Sequence, residues 1–231
     1  MPSADARAGT LPEGQVRAMF DRIAGVYDVM NSVMTAGLHH QWRARAVKLA
    51  SVGPGSRALD VATGTGDLAI ALAAAGAEVV GSDFSEGMLG RARVKDPSLT
   101  WEWGDVRELP YPDASFDACT VGFGARNYGD LDAGLREMVR VVRPGGKVVV
   151  LEITTPTRPP LSTFFSLWFD RLVPLLGRFD DAYTYLPASV RRFPDAQALA
   201  GRMADAGLTD VRWLLTGGGI IAIHHGVKPA A

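Results

Sequence analysis

The sequence predicts an α/β protein: an open, seven-stranded, mostly parallel sheet with helices on both faces, a terminal antiparallel hairpin and an N-terminal helical cap. Three observations carry that reading. Short apolar runs alternate with segments of helical spacing through the middle of the chain, the pattern of a parallel sheet assembled from strand-helix-strand units. One run, Phe116 to Phe123, is apolar apart from Asp117 and Thr120, as a strand covered on both faces is expected to be. The last two runs, Val211 to Thr216 and Ile220 to His225, are separated by Gly217-Gly218-Gly219, which makes a hairpin rather than a crossover.

Taken in order, residues 1–14 mix Pro, Ala, Gly and charges without an apolar stretch and read as a tail; residues 15–231 form one domain. From Gln15 to Met30, Val16, Met19, Phe20, Ile23, Val26, Tyr27 and Met30 fall on one helical stripe. Asn31-Ser32 interrupts it, and Leu38 to Leu49 is a second helix. These two helices, residues 15–50, precede the sheet and must pack on it as a cap. His39 and His40 are adjacent, point to different faces of their helix and have no Cys or carboxylate at ligand spacing, so no metal site is expected.

The first strand, Ser56 to Leu59, leads into Asp60-Val61-Ala62-Thr63-Gly64-Thr65-Gly66-Asp67 and then a helix marked by Leu68, Ala69 and Leu72. Two glycines in a strand-to-helix turn let backbone approach a nucleotide-like ligand closely. The spacing Gly64-x-Gly66-x-x-Ala69 fits a dinucleotide site, an adenosine site, or a tight turn with no ligand. The second strand ends at Asp83, placed to accept both ribose hydroxyls. The third, Leu99 to Trp103, is followed by Gly104-Asp105-Val106, where Asp105 can accept from an adenine amino group. The fourth opens into Gly124-Ala125-Arg126-Asn127-Tyr128, at the strand end where such sheets bind ligands. A helix from Leu135 to Val142 and a strand from Lys147 to Glu152 come next. Residues 153–194, rich in proline and aromatics, break the alternation and read as a lid over an acceptor, before a helix from Ala196 to Ala206.

Composition narrows the function. Lys plus Arg number 24 against 25 Asp plus Glu, a net charge of −1, which offers no field for nucleic acid. The lone cysteine, Cys119, excludes an intramolecular disulfide and suits a reducing, cytoplasmic setting. No run reaches the roughly 18 apolar residues of a membrane span, while peripheral contact with the inner face of a membrane, and self-association, stay open.

Acidic strand ends at Asp60, Asp83 and Asp105, the Phe116-Asp117 strand, and Arg143-Pro144-Gly145-Gly146 before the fifth strand together resemble the class I, Rossmann-like S-adenosyl-L-methionine-dependent methyltransferases. Phe20-Asp21-x-Ile23-Ala24-x-x-Tyr27-Asp28-x-Met30-Asn31, the glycine turn, Phe123-Gly124-x-Arg126-Asn127, and Tyr183-x-Tyr185-Leu186-x-x-Ser189-Val190-x-x-Phe193-Pro194-Asp195 look like the menaquinone and ubiquinone biosynthesis C-methyltransferases. That resemblance implies methylation of a ring carbon in demethylmenaquinol, or in the corresponding benzoquinol. It implies cofactor contacts from Asp60, Gly64, Thr65, Gly66, Asp83, Asp105, Val106 and position 122. The family usually carries Ser at that last position, where this chain has Gly122, and often His-Arg where this chain has His39-His40.

A sulfonium methyl is an electrophile, so its acceptor must be the reduced quinol. Arg126 then serves to stabilise a developing phenolate, Asn127 to orient the hydroxyl or a water, and Tyr27 to line the ring. A polyprenyl quinol resides in a bilayer, which makes the apolar stretch from Pro160 to Phe179 a candidate membrane-contacting face. Two rival readings share the scaffold: another small-molecule O- or N-methyltransferase, and a non-catalytic protein that only binds S-adenosyl-L-methionine.

Overall fold

A computed structural model of the protein describes residues 11–25, 27–35, 37–156 and 182–230. Seven strands form one sheet: β1 (Arg57–Val61), β2 (Glu78–Asp83), β3 (Thr100–Trp103), β4 (Phe116–Gly122), β5 (Val142–Ile153), β6 (Thr209–Thr216) and β7 (Ile221–Val227). They lie in the order β3-β2-β1-β4-β5-β7-β6. The first five are mutually parallel, and β7 runs antiparallel to both β5 and β6. The strand order reverses direction between β1 and β4, and the crevice outside the carboxyl ends there is where an open sheet of this kind holds a ligand. Successive residues of β1 and β4 point to opposite faces and nearly all are buried, so each strand needs apolar residues on both sides.

Helices cover those faces. On one, α3 (Leu38–Ala50), α4 (Asp67–Ala74) and α5 (Glu86–Lys95) bury Trp42, Ala46, Leu68, Leu72 and Leu89 against Ala58, Val79 and Ile223. On the other, α6 (Leu131–Val141) and α8 (Ala196–Asp205) bury Leu135, Met138, Leu199 and Met203 against Leu59, Phe116 and Val148. Hydroxyl and carboxylate caps fix where three of these helices start: Ser85 accepts from the Met88 amide, Asp130 from Ala133 and Asp195 from Ala198. The Asp130 cap explains why α6 begins a turn earlier than its apolar spacing alone suggests.

The cap differs from expectation. Instead of one helix from Gln15 to Met30 broken at Asn31-Ser32, there are two, α1 (Glu13–Ile23) and α2 (Tyr27–Thr35), and the second runs through Asn31 and Ser32. The break falls at Gly25, where an added Cβ would meet the Arg91 guanidinium at 2.9 Å. Glycine is a poor helix former. The second helix stops where the Thr35 hydroxyl donates back to the Asn31 carbonyl and Gly37 takes a φ of +75°.

At the end of the stretch expected as a lid, Ala182–Arg192 is a helix, α7, despite Pro187 within it. Proline removes one backbone hydrogen bond there, and burial of Tyr185, Ser189 and Val190 outweighs that cost. Tyr185 joins Val16, Met19, Ile23 and Met88 in a cluster that joins α1, α5 and α7. The rest of the lid, including the stretch from Pro160 to Phe179, lies outside the described residues. Among the described residues no helix is long and apolar enough to cross a membrane.

Candidate functional site

The turn between β1 and α4 is built from left-handed backbone: φ is +47° at Ala62, +59° at Gly64 and +88° at Gly66. Gly66 is doubly constrained, because the Trp101 ring packs where its Cβ would be. Ala62 adopts this conformation with a Cβ, as does Phe123 at +63° at the end of β4. Such strain is of order 1–3 kcal/mol per residue and persists only where surrounding structure enforces it. Both residues border an open cavity of about 900 Å³.

Two buried carboxylates hold this turn in place. Asp60 accepts from the Thr63 hydroxyl at 2.6 Å and from the Thr120 hydroxyl at 2.6 Å, tying the turn to β4. Asp83 accepts from the Gly64 amide at 2.8 Å and the Ser85 amide at 2.9 Å. Burial pushes both acids up to about 6, against the hydroxyl and amide hydrogen bonds that favour their ionised forms. Each Asp83 oxygen retains acceptor capacity beyond its amide bond.

Past β3, Asp105 lines the same cavity beside Val106 and Arg107. The Arg107 fork binds it with Nη2 to Oδ2 at 2.5 Å and Nε to Oδ1 at 3.0 Å, and that guanidinium holds the carboxyl below the usual range. Gly122 lines the opposite side, where an added Cβ would stand 3.1 Å from a Leu68 methyl. A serine there would need that methyl to give by a few tenths of an ångström.

The cap is tied to the turn by ion pairs. The Thr65 hydroxyl donates to Asp28 at 2.5 Å and accepts from Lys95 at 3.2 Å. Lys95 also pairs with Asp28 at 2.8 Å and Asp67 at 2.6 Å, and Arg43 of α3 pairs with Asp67 at 3.1 Å. Asp21 of α1 accepts from the Ser85 hydroxyl at 2.5 Å and the Gly87 amide at 3.0 Å. His39 accepts from Arg43, and burial together with that neighbouring cation drives its pKa down to about 4. Among the described residues no group of three or more His, Cys, Asp or Glu is placed to hold a metal ion.

Tyr27 and Asn127 line the cavity, and Tyr27 meets Phe20 edge-on at 6.2 Å between ring centroids. The buried Oδ1 of Asn127 has no hydrogen-bond partner among the described residues. An orphaned acceptor at a cavity wall is a place for a donor from a ligand or a water. Arg126 stands behind that wall. Its Nη1 donates to Glu152 Oε1 at 2.7 Å and to the Phe123 carbonyl at 2.6 Å, and its own amide donates to Glu152 Oε2 at 3.2 Å. Burial alone would lower the guanidinium pKa, and Glu152, with Tyr27 and Tyr185, overrides that and holds it above its ordinary value.

The eleven site residues named from the sequence thus gather around the carboxyl ends of β1 to β4, with nine on the cavity wall, Tyr27 among them reaching it from the cap, and with Gly66 in the adjoining turn and Arg126 next to the wall residue Asn127. Sequence reading missed Glu152, Asp21, Asp28 and Arg43. Glu152 left one signal, a lone carboxylate closing the apolar run Val148 to Leu151. Asp21 and Asp28 stand within the cap motif from Phe20 to Asn31 without a role read for them, and Arg43 left no signal beyond a polar position on a helix whose docking was unknown.

The profile of the ubiE/COQ5 methyltransferase family matches residues 9–228. The chain is 44% identical over 220 residues to a demethylmenaquinone methyltransferase of Mycobacterium sp. (strain KMS), covering 93% of this chain and 94% of that one. It is 42% identical over 227 residues to the ubiquinone/menaquinone biosynthesis C-methyltransferase UbiE of Geobacter sp. (strain M21), covering 93% and 96%. Among solved structures, a SAM-dependent methyltransferase of Thermotoga maritima, described as a possible histamine N-methyltransferase, superposes with a TM-score of 0.68 at 21% identity, covering 91% of this chain and 99% of that one. That likeness shows the fold.

Proposed function

Because the chain belongs to the ubiE/COQ5 methyltransferase family, we propose that it transfers a methyl group from S-adenosyl-L-methionine to a ring carbon of a polyprenyl quinol, demethylmenaquinol in the first instance. One observation carries the reading. A single cavity joins ribose- and adenine-type acceptors, Asp83 and Asp105, to a wall made of Tyr27, Phe20 and the orphaned Asn127 oxygen. Two rings, one polar at its edge and one largely apolar, fit that division of the lining.

S-adenosyl-L-methionine supplies an electrophilic methyl on sulfur. Asp83 would accept from the ribose hydroxyls, Asp105 from the adenine amino group, and the turn at Gly64 to Gly66 would admit the chain that links sugar to sulfur. The absence of a side chain at Gly122 keeps that passage wide, with Leu68 as its floor.

The acceptor requires loss of a proton. A phenolic hydroxyl with a pKa near 10 costs roughly 4 kcal/mol to ionise at pH 7. Asn127 Oδ1 would accept a hydrogen bond from the hydroxyl, or from a water that takes its proton and passes it to solvent, and the buried Arg126 charge would favour the phenolate left behind. Glu152 is then a positioning residue: it fixes Arg126 and keeps the guanidinium protonated. Tyr27 would stack or edge against the ring. Holding the methyl and the ring carbon in line accounts for much of the remaining acceleration.

A prenylated acceptor places the enzyme at a bilayer surface. The apolar stretch from Pro160 to Phe179 supports peripheral contact, and equal flotation of wild type and Trp168→Asp with liposomes would count against it.

The test of function is incubation with methyl-labelled S-adenosyl-L-methionine and a short-chain demethylmenaquinone, with and without dithionite, followed by mass spectrometry of the lipid. Ring label only under reduction supports the proposal. Label in both conditions refutes the requirement for the quinol, and donor binding without label refutes the acceptor.

A further inference from the structure

Cations on much of the described surface have a carboxylate beside them: Arg57 pairs with Glu78, Arg93 with Glu86, Arg140 with Asp113 and Arg202 with Asp132. One region departs from that pattern. Arg45 and Lys48 of α3, Lys147 of β5 and Arg212 of β6 pair with no carboxylate among the described residues. Arg45 donates instead to the neutral Thr216 hydroxyl at 2.6 Å, and Lys147 to that of Ser51 at 2.6 Å.

These four cations border one shelf between α3 and the edge of the sheet. Arg45 and Lys48 are three residues apart on the exposed side of α3, hence neighbours on its surface. Strand pairing sets Arg212 opposite His225 and His225 opposite Val149, and Val149 packs in the core beneath α3. Lys147, two residues before Val149, shares that face, and so does Leu214, two residues after Arg212 and 45% exposed. Burial, and then the Lys147 and Arg212 charges, hold His225 below its ordinary pKa, so both cations bear on one point. The one carboxylate of β6, Asp210, lies at the bulge between Thr209 and Arg212.

Net charge of −1 gives the chain no general excess of cations to explain this gathering. The rim of β6 is also apolar: as the last strand of the sheet it leaves Trp213 and Leu215, on its other face, 42% and 51% exposed. Basic side chains interleaved with exposed Trp and Leu suit an anionic bilayer, where the charges meet headgroups and the apolar groups enter the acyl boundary. Nucleic acid would engage the cations but offers the leucines little. The shelf adjoins the cavity, too. A Cβ at Gly217 would stand 3.2 Å from the Trp42 ring, and Trp42 meets the cavity residue Phe123 edge-on at 6.3 Å between centroids.

We propose that the shelf between α3 and β6 docks the protein on an anionic lipid surface through Arg45, Lys48, Lys147 and Arg212, with Leu214 at its apolar rim. The choice of lipid as the polyanion rests on the reading of a prenylated acceptor.

The test is co-sedimentation of the full chain with vesicles of phosphatidylcholine alone and of phosphatidylcholine and phosphatidylglycerol in equal parts, for the wild type and for Lys48→Gln combined with Arg212→Gln. Each cation near an anionic surface contributes about 5-fold to partitioning, so the double variant should bind the anionic vesicles roughly 30-fold more weakly. Its melting temperature and its affinity for S-adenosyl-L-homocysteine should match the wild type, since both residues are exposed. Partitioning by the double variant equal to that of the wild type overturns the proposal, as does equal binding of the wild type to neutral and anionic vesicles. A single-stranded oligonucleotide bound more tightly than the vesicles, or a vesicle-free dimer that the double variant loses, also overturns it, by giving the shelf to another occupant. Quinol methylation is scored separately: charge-dependent vesicle binding by a protein that labels no quinol refutes the acceptor reading and upholds the docking shelf.

Discussion

The Arg126 and Glu152 pair offers a quantitative test. Glu152 is 1% exposed, and its oxygens accept from Arg126 Nη1 at 2.7 Å, the Ile153 amide at 2.8 Å and the Arg126 amide at 3.2 Å. Glu152→Gln keeps the shape but removes the charge, and its amide nitrogen must face one of those three donors. A buried guanidinium left without its counter-charge costs about 3–5 kcal/mol. At roughly 2–4 °C per kcal/mol for a chain of this size, the melting temperature should fall by about 10 °C. Urea denaturation and calorimetry at pH 7.5 measure it. A second variant separates charge from packing: replacing both partners, Arg126→Met with Glu152→Leu, should recover most of the lost stability while abolishing quinol methylation. A loss below about 1 kcal/mol for Glu152→Gln, or a double variant as unstable as the single, would refute the electrostatic account.

Four further outcomes follow from the geometry. Asp60 and Asp83 have folded-state values near 6, above the ordinary carboxylate range, so their protonated forms favour the fold; donor-free stability should decline as pH rises from about 4 through 6. Ribose recognition needs Asp83 ionised, so affinity for S-adenosyl-L-homocysteine should fall as pH drops through about 6, and a flat calorimetric profile from pH 5 to 8 would contradict the role of Asp83. Gly66→Ala forces a Cβ into a φ of +88° and into the Trp101 ring, so it should cost at least ~2 kcal/mol and eliminate donor binding, both read by a thermal melt with and without ligand. Asp28→Asn weakens the tie from the cap to Thr65 and Lys95; with Asp28 43% exposed the stability change should stay under ~1 kcal/mol, while ligand release measured by stopped flow should accelerate. An unchanged release rate would mean the cap does not gate the donor.

The sheet was legible because β1, β2, β4 and β5 are apolar on both faces and end in polar or glycine-rich turns, a pattern set by burial and backbone geometry alone. The acids at 60, 83 and 105 were legible because each falls within two residues of the carboxyl end of its strand. Their division of labour was not: Asp60 and Asp83 first hold the turn through Thr63, Thr120 and the Gly64 amide, which only three-dimensional proximity reveals. Helix α7 was obscured by Pro187, a local rule overridden by burial of Tyr185 and Val190. The cap was misdivided because its apolar stripe continues in phase across Gly25. Glu152 and Arg43 escaped because a buried ion pair has no signature when its members lie 26 residues apart, or 24 residues in the case of Arg43 and Asp67.

The strand order also has consequences for how the molecule is made. β7 is the last strand of the chain, yet it is inserted between β5 and β6. During synthesis β6 therefore emerges with nowhere to pair, and β5 keeps an open edge, until Ile221–Val227 leaves the ribosome. Trp213, Leu214 and Leu215 on β6 are 42–51% exposed even in the finished fold. A stop codon at Ile220 would remove no residue of the cavity wall, but it would leave two unpaired strand edges beside an exposed apolar run, and the shortened product would be expected in inclusion bodies.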